Sequence, residues 1–429
     1  MDSMRIDIDN LYNGFGKTLL SGLFFASTCT ANFLLADLVY VANFGSTDTF
    51  SIIEVGATTS TGPFPSGGVD PAFITFNPDG RFGYISNNSS DTIAVLDTIT
   101  NAIVATILVG NGPTGSDITP DGRFLYVANS DPGSTSVTVI DTTTNTVYGT
   151  VSVSAQPFDI AITPDGAFAY VTHNAITTHV SVINTSTNLV EITIPIGATQ
   201  AAIEMTPDGR YAYVTSGSLS SVIAIDTSTN TIVATIPRIP ASPREIAITP
   251  DGKFAYVPQT FAGTVTVIDI STNTIATTIS IGVGTGSSGA AVTLDGQFVY
   301  VANLGADNVS VIDTASNTIV ATILVGDGPL AVAVLPFPQP VLNLSGTQEK
   351  NDFGIVYELF NELTWTANPV GTVPTQYDIY RNGTKIDTVN GSTFEYEDHN
   401  IAKGSTNIYS IVAIDANGKE SNPAIITID

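Results

Sequence analysis

One short pattern returns along the chain at a nearly constant interval. The tripeptide Pro-Asp-Gly, once changed to Leu-Asp-Gly, occurs six times, and its aspartates are separated by 42, 44, 43, 43 and 44 residues. Those aspartates are Asp79, Asp121, Asp165, Asp208, Asp251 and Asp295. A Tyr-Val or Tyr-Ile pair follows each tripeptide after a few residues and also occurs once before the first, at Tyr40. A fixed period of this length predicts a repeat protein, in which each unit buries its apolar face against its neighbours.

Each unit contains four short segments in which apolar and polar residues alternate. In the fourth unit these segments are residues 159–163, 168–172, 180–183 and 189–194, with Asp, Asn, Gly and Thr between them. Alternation bounded by such turn residues indicates antiparallel hairpins. Seven four-stranded units predict an all-β fold, a seven-bladed β-propeller over residues 37–336. The first unit lacks an inner strand and residues 330–336 supply an extra one, so we expect these two ends to pair and close the ring.

The repeated segments resemble a known family. The pattern Ile-Ala-Ile-Thr-Pro-Asp-Gly, Ala-Tyr-Val-Thr, Val-Ser-Val-Ile is similar to the YVTN-type β-propeller repeats, over residues 37–336. That family includes archaeal surface-layer proteins and bacterial periplasmic or secreted propellers, so the resemblance implies a secreted, periplasmic or cell-surface location. The motif itself describes turns and packing. We therefore expect its aspartates to accept backbone hydrogen bonds in turns rather than to bind calcium.

The two ends of the chain differ from the repeats. Residues 1–36 contain Lys17 followed by an apolar run, which predicts a signal peptide, with a retained membrane anchor as the alternative. The only cysteine, Cys29, lies in this segment, so no disulfide is expected in the mature chain. Residues 337–341 form a proline-rich linker, and residues 342–429 carry alternating strands and the only tryptophan, Trp365. This last segment resembles a fibronectin type III-like β-sandwich, a module that acts mainly as a spacer or adhesive unit.

The charge of the chain argues against one class of partner. The formal net charge is −26, and the predicted propeller has only six basic residues, four of which directly follow Pro-Asp-Gly. Nucleic-acid binding needs a basic surface that neutralises phosphates. No nucleic-acid partner is therefore predicted.

Comparison of the repeats with one another indicates where a ligand would bind. The Pro-Asp-Gly turns barely vary, whereas the loops on the opposite rim vary in length and content, which predicts the binding site on that rim. Eight residues depart from the repeat pattern there: Asp117, Asp159, His173, His179, Glu204, Arg244, Glu245 and Phe261. Asp117 and Glu204 replace an inward alanine, and Asp159 and Glu245 stand two positions earlier. These acids either hold a cation in the central channel or only make it polar.

The sequence contains few features that indicate catalysis. The chain has three histidines, no nucleophile elbow and no cofactor motif, so no catalytic residue and no cofactor are predicted. His173, His179 and Asp159 are weak candidates for a metal site, since the two histidines could face each other across one hairpin; two polar loop histidines are the alternative. The sequence therefore predicts a non-enzymatic secreted or surface scaffold that engages a protein or glycan, without a membrane span after cleavage and in an unspecified oligomeric state. The alternative is a propeller enzyme, lactonase-like or metal-dependent, with its site at the mouth of the channel.

Overall fold

The computed structural model describes residues 38–429 apart from residues 176–178, 198, 240–241, 283–285, 337–341, 353–356, 368–373, 400, 402–404, 416–417, 419, 422 and 429. The predicted signal peptide or anchor and the predicted linker lie outside the described residues. Within them, no helix has both the length and the apolar character needed to cross a membrane.

Residues 38–334 form seven antiparallel sheets of four strands each, the blades of a propeller. Blade 1 contains β1 (Leu38–Asn43), β2 (Thr49–Glu54) and β3 (Ser60–Pro65), and blade 2 contains β4 (Pro71–Phe76), β5 (Phe82–Asn87), β6 (Thr92–Asp97) and β7 (Ala102–Leu108). Blade 3 contains β8 (Pro113–Ile118), β9 (Phe124–Asn129), β10 (Ser136–Asp141) and β11 (Thr146–Ser152), and blade 4 contains β12 (Pro157–Ile162), β13 (Phe168–His173), β14 (His179–Asn184) and β15 (Leu189–Pro195). Blade 5 contains β16 (Ile203–Met205), β17 (Tyr211–Ser216), β18 (Ser221–Asp226) and β19 (Thr231–Pro237), and blade 6 contains β20 (Ala247–Ile248), β21 (Phe254–Gln259), β22 (Thr264–Asp269) and β23 (Thr274–Ser280). Blade 7 contains β24 (Ser287–Val292), β25 (Phe298–Asn303), β26 (Asn308–Asp313) and β27 (Thr318–Leu324).

The ends of the propeller are joined by the exchange that the sequence predicts. The strand β28 (Pro329–Val334) pairs antiparallel with β1, with Val332 opposite Val41. The N–H of Leu335 extends this ladder by donating to the carbonyl of Leu38 at 2.8 Å. The prediction of ring closure is therefore confirmed, and the inner edge of blade 1 is covered.

The Pro-Asp-Gly turns have a structural role. The Asp165 carboxylate accepts hydrogen bonds from the Ala167 N–H at 3.0 Å and from the Thr163 hydroxyl at 2.6 Å. Gly166 has a φ of 73°, a conformation that favours glycine. The same carboxylate-to-backbone bond recurs in the turns at Asp79, Asp121, Asp208, Asp251 and Asp295. The prediction that these aspartates build turns is confirmed.

The repeated tyrosines hold adjacent blades together. Tyr126 in blade 3, for example, is fully buried, and its hydroxyl donates to the Asn188 side chain in blade 4 at 2.6 Å. Asn188 has a φ of 55°, in the left-handed region that asparagine tolerates. The corresponding pairs are Tyr40–Asn101, Tyr170–Asn230, Tyr213–Asn273 and Tyr256–Asn317. Apolar clusters fill the space between neighbouring blades, as between blades 4 and 5, where Val182 and Ile203 belong to one cluster.

The C-terminal segment forms two further sheets. Its strands are β29 (Leu342–Asp352), β30 (Tyr357–Thr366), β31 (Gln376–Arg381), β32 (Thr384–Asn390), β33 (Glu395–Asp398), β34 (Asn407–Ile414) and β35 (Ala424–Ile428). The strands are ordered β29-β30-β33 in one sheet and β32-β31-β34-β35 in the other. Trp365, Tyr377 and Tyr409 share one buried cluster to which both sheets contribute. The likeness to a fibronectin type III module stays a prediction.

Candidate active site at the mouth of the central channel

The inner strands of the blades line the central channel in two tiers of side chains. The lower tier holds the residues that pair in register with the repeated tyrosines. These residues are Thr75, Asp117, Ala161, Glu204, Ala247, Ala291 and Ala333. The upper tier lies two residues earlier on each strand and includes Phe73, Gly115, Asp159, Glu245 and Ala331. The four acids that the sequence singles out therefore lie in one arc of the channel, on blades 3 to 6.

Two adjoining cavities follow this arrangement. The first, which we name the mouth cavity, has a volume of about 220 Å³ and is lined by Asp159, Arg244 and Glu245. The second, the channel cavity, has a volume of about 370 Å³ and adds Asp117 and Glu204. Phe73, Ala331, Asp159 and Glu245 line both cavities, so the two spaces adjoin along the upper tier.

Asp159 is held in place by the backbone of two blades. It is 4% exposed, and its carboxylate accepts hydrogen bonds of 2.9 Å from the N–H groups of Ile160 and Ile203. Gly115 leaves the room for it, because a Cβ at that position would lie 2.1 Å from the carboxylate. Burial raises the pKa of Asp159 to about 7, and repulsion from Asp117 adds to the increase. The two backbone hydrogen bonds favour the charged carboxylate and act in the opposite direction. The group is therefore poised to exchange protons near neutral pH.

The other three acids are shifted in the same direction. Asp117 accepts hydrogen bonds from the N–H groups of Ile118 at 2.8 Å and Ile162 at 2.7 Å, and burial raises its pKa to about 6. The surrounding protein raises the pKa of Glu204 and of Glu245 well above the usual value, and repulsion from neighbouring carboxyls adds to this. Glu204 is exposed to the channel, but the walls of the channel replace much of the bulk water that would stabilise its charge.

Arg244 is the basic residue of this site. It precedes β20, and its backbone is fixed by a hydrogen bond from the Ala202 N–H to its carbonyl at 3.2 Å. Burial lowers the pKa of Arg244 while Glu245 opposes the change, and an arginine stays charged at neutral pH. Among the residues that the structure describes, none forms an ion pair with its guanidinium group. A half-buried guanidinium group at the wall of a cavity can bind an oxygen of a ligand.

The two histidines lie elsewhere. Their rings face each other across the hairpin of β13 and β14, with centroids 5.4 Å apart. His173 is fully buried, and its Nε2 lies 2.9 Å from the Ser181 hydroxyl, while Nε2 of His179 lies 2.7 Å from that of Ser154. Neither histidine lines the mouth cavity or the channel cavity. In the described part of the chain, no three His, Cys, Asp or Glu side chains are grouped as a metal site.

The structure brings five of the eight candidate residues together. These are Asp117, Asp159, Glu204, Arg244 and Glu245. Phe261 is 75% exposed on the loop between β21 and β22 and lines neither cavity. His173, His179 and Phe261 are thus separate from the channel acids.

Three aromatic residues that line the mouth cavity were not among the eight candidates: Phe44, Phe73 and Phe158. Phe73 had a signal in the sequence, because it stands where other inner strands carry Gly115 or Ala331. Phe44 follows β1 in a loop, and no repeat position marks it. The lining of the mouth cavity therefore combines aromatic residues with the polar and charged ones.

Comparison with solved structures gives several chains of similar fold. One is a chain of the hydrazine synthase of Kuenenia stuttgartiensis, with a TM-score of 0.55 and 25% identity, over 61% of this chain and 88% of that one. Another is the periplasmic gluconolactonase PpgL of Pseudomonas aeruginosa, with a TM-score of 0.60 and 19% identity, over 70% of this chain and 99% of that one. A protein of unknown function from Desulfotomaculum acetoxidans has a TM-score of 0.60 and 17% identity, with the same coverage.

Comparison with curated sequences gives one short match. The PE-PGRS family protein PE_PGRS18 of Mycobacterium tuberculosis is 39% identical over 51 residues. The match spans 12% of this chain and only 11% of that protein.

A family model provides the broadest match. The model described as "Lactonase, 7-bladed beta-propeller" matches residues 35–156, 159–279 and 242–325, which together make up well over half of the chain. This finding overturns the prediction of a non-enzymatic scaffold, which relied on the scarcity of histidine and the lack of cofactor motifs, and favours the alternative of a lactonase-like enzyme. The matched family is also one of lactonases rather than the YVTN-type surface-layer propellers. The chain belongs to the seven-bladed β-propeller lactonase family.

Proposed function

We propose that this protein hydrolyses lactones in the mouth cavity. The observation that carries the proposal is the cation of Arg244, which forms no ion pair among the described residues, in one cavity with Asp159 and Glu245. Burial raises the pKa values of these two carboxyls, and the propeller belongs to a lactonase family. Ester hydrolysis needs a base for water, a cation or dipole for the developing oxyanion and an acid for the leaving oxygen. The three side chains supply these groups without a histidine.

In the proposed mechanism, Arg244 binds the lactone carbonyl oxygen. Asp159 accepts a proton from a water molecule, whose oxygen attacks the carbonyl carbon. The negative charge that develops on the carbonyl oxygen is stabilised by the guanidinium group. The bond from the carbonyl carbon to the ring oxygen then breaks, and the ring oxygen takes its proton from Glu245, which its raised pKa keeps protonated. The product is a hydroxy acid, which ionises to a carboxylate.

The size and lining of the mouth cavity suit a small ring. Its volume of about 220 Å³ exceeds the ~150 Å³ of an apolar cavity that binds benzene. The aromatic lining residues supply apolar surface for a sugar ring, and polar ones such as Thr114 and Ser130 supply hydrogen-bonding groups. Together with the gluconolactonase among the structural neighbours, this supports glucono-δ-lactone as the first substrate to test.

The test is hydrolysis of glucono-δ-lactone by the purified protein, followed as proton release in weak buffer. We expect Arg244→Gln and Asp159→Asn each to reduce kcat/KM by about 10²–10³-fold. The matched controls are Arg123→Gln and Asp226→Asn, which lie on the opposite rim and line neither cavity. If all four variants hydrolyse the lactone like the wild type, or if the wild type hydrolyses no lactone of a panel of ring sizes, the proposal is wrong.

We further propose that the enzyme is exported and that its C-terminal sheets form a fibronectin type III-like spacer. The support is the apolar segment after Lys17 and the strand pattern of residues 342–429. N-terminal sequencing of secreted protein should begin near Asp37, and an intact Met1 in a membrane fraction would instead identify an anchor. A protein or glycan partner at the variable rim stays a prediction.

A further inference from the structure

The four channel acids are more than the proposed reaction needs. Asp159 and Glu245 belong to the mouth cavity, whereas Asp117 and Glu204 lie one tier lower, in the channel cavity. Glu204 makes no hydrogen bond to another described side chain, so the fold does not require its charge. Burial raises the pKa of Glu204, and repulsion from Asp117 and Asp159 adds to the increase. All three residues line the channel cavity.

The reaction changes the charge of its ligand. A neutral lactone and water become a hydroxy acid, and this acid loses its proton to give a carboxylate. The arriving ligand is therefore uncharged, whereas the departing one is an anion in the field of up to four carboxyls and one guanidinium. Repulsion between like charges acts over the dimensions of this channel because its walls exclude much of the screening water.

We infer that Asp117 and Glu204 make the site selective by charge, admitting uncharged lactones and weakening the binding of the carboxylate product. The inference rests on the proposed lactone hydrolysis and names its substrate class: lactones without a phosphate or other anionic group. Arg244 supplies one positive charge against up to four carboxylates, so an anionic group in these cavities meets net repulsion once the carboxyls ionise.

Charge selection by the channel carboxyls predicts that the affinity for anions depends on pH. The charged groups that face the two cavities from the inner strands are Asp117, Asp159, Glu204, Glu245 and Arg244. Their carboxyls ionise as pH rises, since burial raises the pKa of each. Arg244 stays charged throughout. Gluconate is already anionic above pH 5, so its affinity should fall between pH 6 and 9, while the affinity of an uncharged lactam analogue should stay nearly constant.

The experiment measures equilibrium binding of gluconate and of gluconolactam by calorimetry between pH 6 and 9, so it does not depend on turnover. The variable is the ratio of the gluconate affinity to the lactam affinity. We expect Glu204→Gln to raise this ratio about tenfold at pH 9 relative to the wild type, as removal of one nearby charge in a partly solvated site predicts. The control is Glu54→Gln, the same substitution at an exposed position of β2 outside the channel.

The results of the binding experiment and of the kinetic assay distinguish a failure of charge selection from a failure of the proposed lactone hydrolysis. Charge selection is supported if the ratio of gluconate affinity to lactam affinity falls as pH rises in the wild type and in Glu54→Gln, and falls less in Glu204→Gln. A ratio that is independent of pH, or equal changes in the two variants, overturns the inference even if the protein hydrolyses lactones. Lack of lactone hydrolysis in the separate kinetic assay overturns the proposed function instead. A phosphorylated sugar lactone hydrolysed as well as its neutral parent would also contradict the inference.

Discussion

The carboxylate of Asp159 in blade 4 accepts a hydrogen bond of 2.9 Å from the N–H of Ile203 in blade 5. Asp117 makes the corresponding bond from blade 3 to the Ile162 N–H of blade 4, at 2.7 Å. These two carboxylates therefore join three successive blades at the wall of the channel. The side chain that we propose as the base of the reaction is also part of the scaffold, so protonation affects both stability and activity.

Stability should fall as pH rises through the neutral range. The pKa of Asp159 rises from 3.8 to about 7 in the folded protein and that of Asp117 to about 6, so between pH 4 and 7 the folded state binds more protons than the unfolded state. Ionisation of Asp159 alone costs up to about 4 kcal/mol. We expect a higher urea midpoint at pH 5 than at pH 8. A midpoint that increases over this interval would contradict the assignment.

Replacement of His173 by asparagine should stabilise the protein in acid. Burial and repulsion from His179 lower the pKa of His173 to about 4, although hydrogen bonds with the backbone of Ala155 and Ser154 oppose the change. Below pH 6.5 the unfolded state therefore takes up a proton that the folded state excludes, at a cost of up to about 3 kcal/mol. Asn303 occupies the equivalent place in blade 7 and bonds Ser310 at 2.8 Å. The advantage of His173→Asn in thermal unfolding should therefore grow from pH 7 to pH 5.

The same variant tests whether this histidine takes part in the reaction. His173 lines neither cavity, and lactone hydrolysis by His173→Asn should equal that of the wild type at pH 7. A loss of kcat/KM without a loss of stability would place the histidine pair in the site after all.

The turn aspartates should affect stability and leave hydrolysis unchanged. Asp165→Ala removes the acceptor for the Ala167 N–H and the Thr163 hydroxyl, which we expect to cost about 1–2 kcal/mol of unfolding free energy. Asp165→Asn keeps an oxygen for the backbone bond and should cost less. Urea unfolding measures both variants, and equal stability of Asp165→Ala and the wild type would show that the turn does not depend on this side chain.

Removal of the closing strand should unfold the propeller. A chain that lacks residues 329–336 leaves β1 with an unpaired inner edge and exposes the cluster that contains Val332. We expect aggregation or loss of the cooperative transition, followed by circular dichroism and size exclusion. Truncation after residue 336 is the control, because it retains all the blade strands and should melt as one unit. A deletion variant that melts like this control would mean that β28 does not close the ring.

The local pattern of the sequence was sufficient for the architecture. Alternation with a period of two and Asp-Gly or Asn turns at fixed spacing determine hairpins, because each depends on backbone conformation within a few residues. Seven copies, a missing inner strand in the first unit and an extra strand after the last one then lead to a closed ring. The same comparison located Asp117 and Glu204 in the channel, since both replace an inward alanine.

The site itself depended on the tertiary structure. Arg244 and Asp159 come from different blades, and only closure of the ring brings them to one cavity together with Phe44, Phe73 and Phe158. The tertiary structure also placed His173 outside the two cavities, and burial raised the pKa of the channel carboxyls. The sequence could not show either effect, since both depend on atoms that are distant in sequence. The repeats themselves say little about chemistry, since their residues are required for turns and packing in every blade. The sequence alone thus determined the propeller and its acidic arc, and only the packing of seven blades decided which of its side chains meet at the channel mouth.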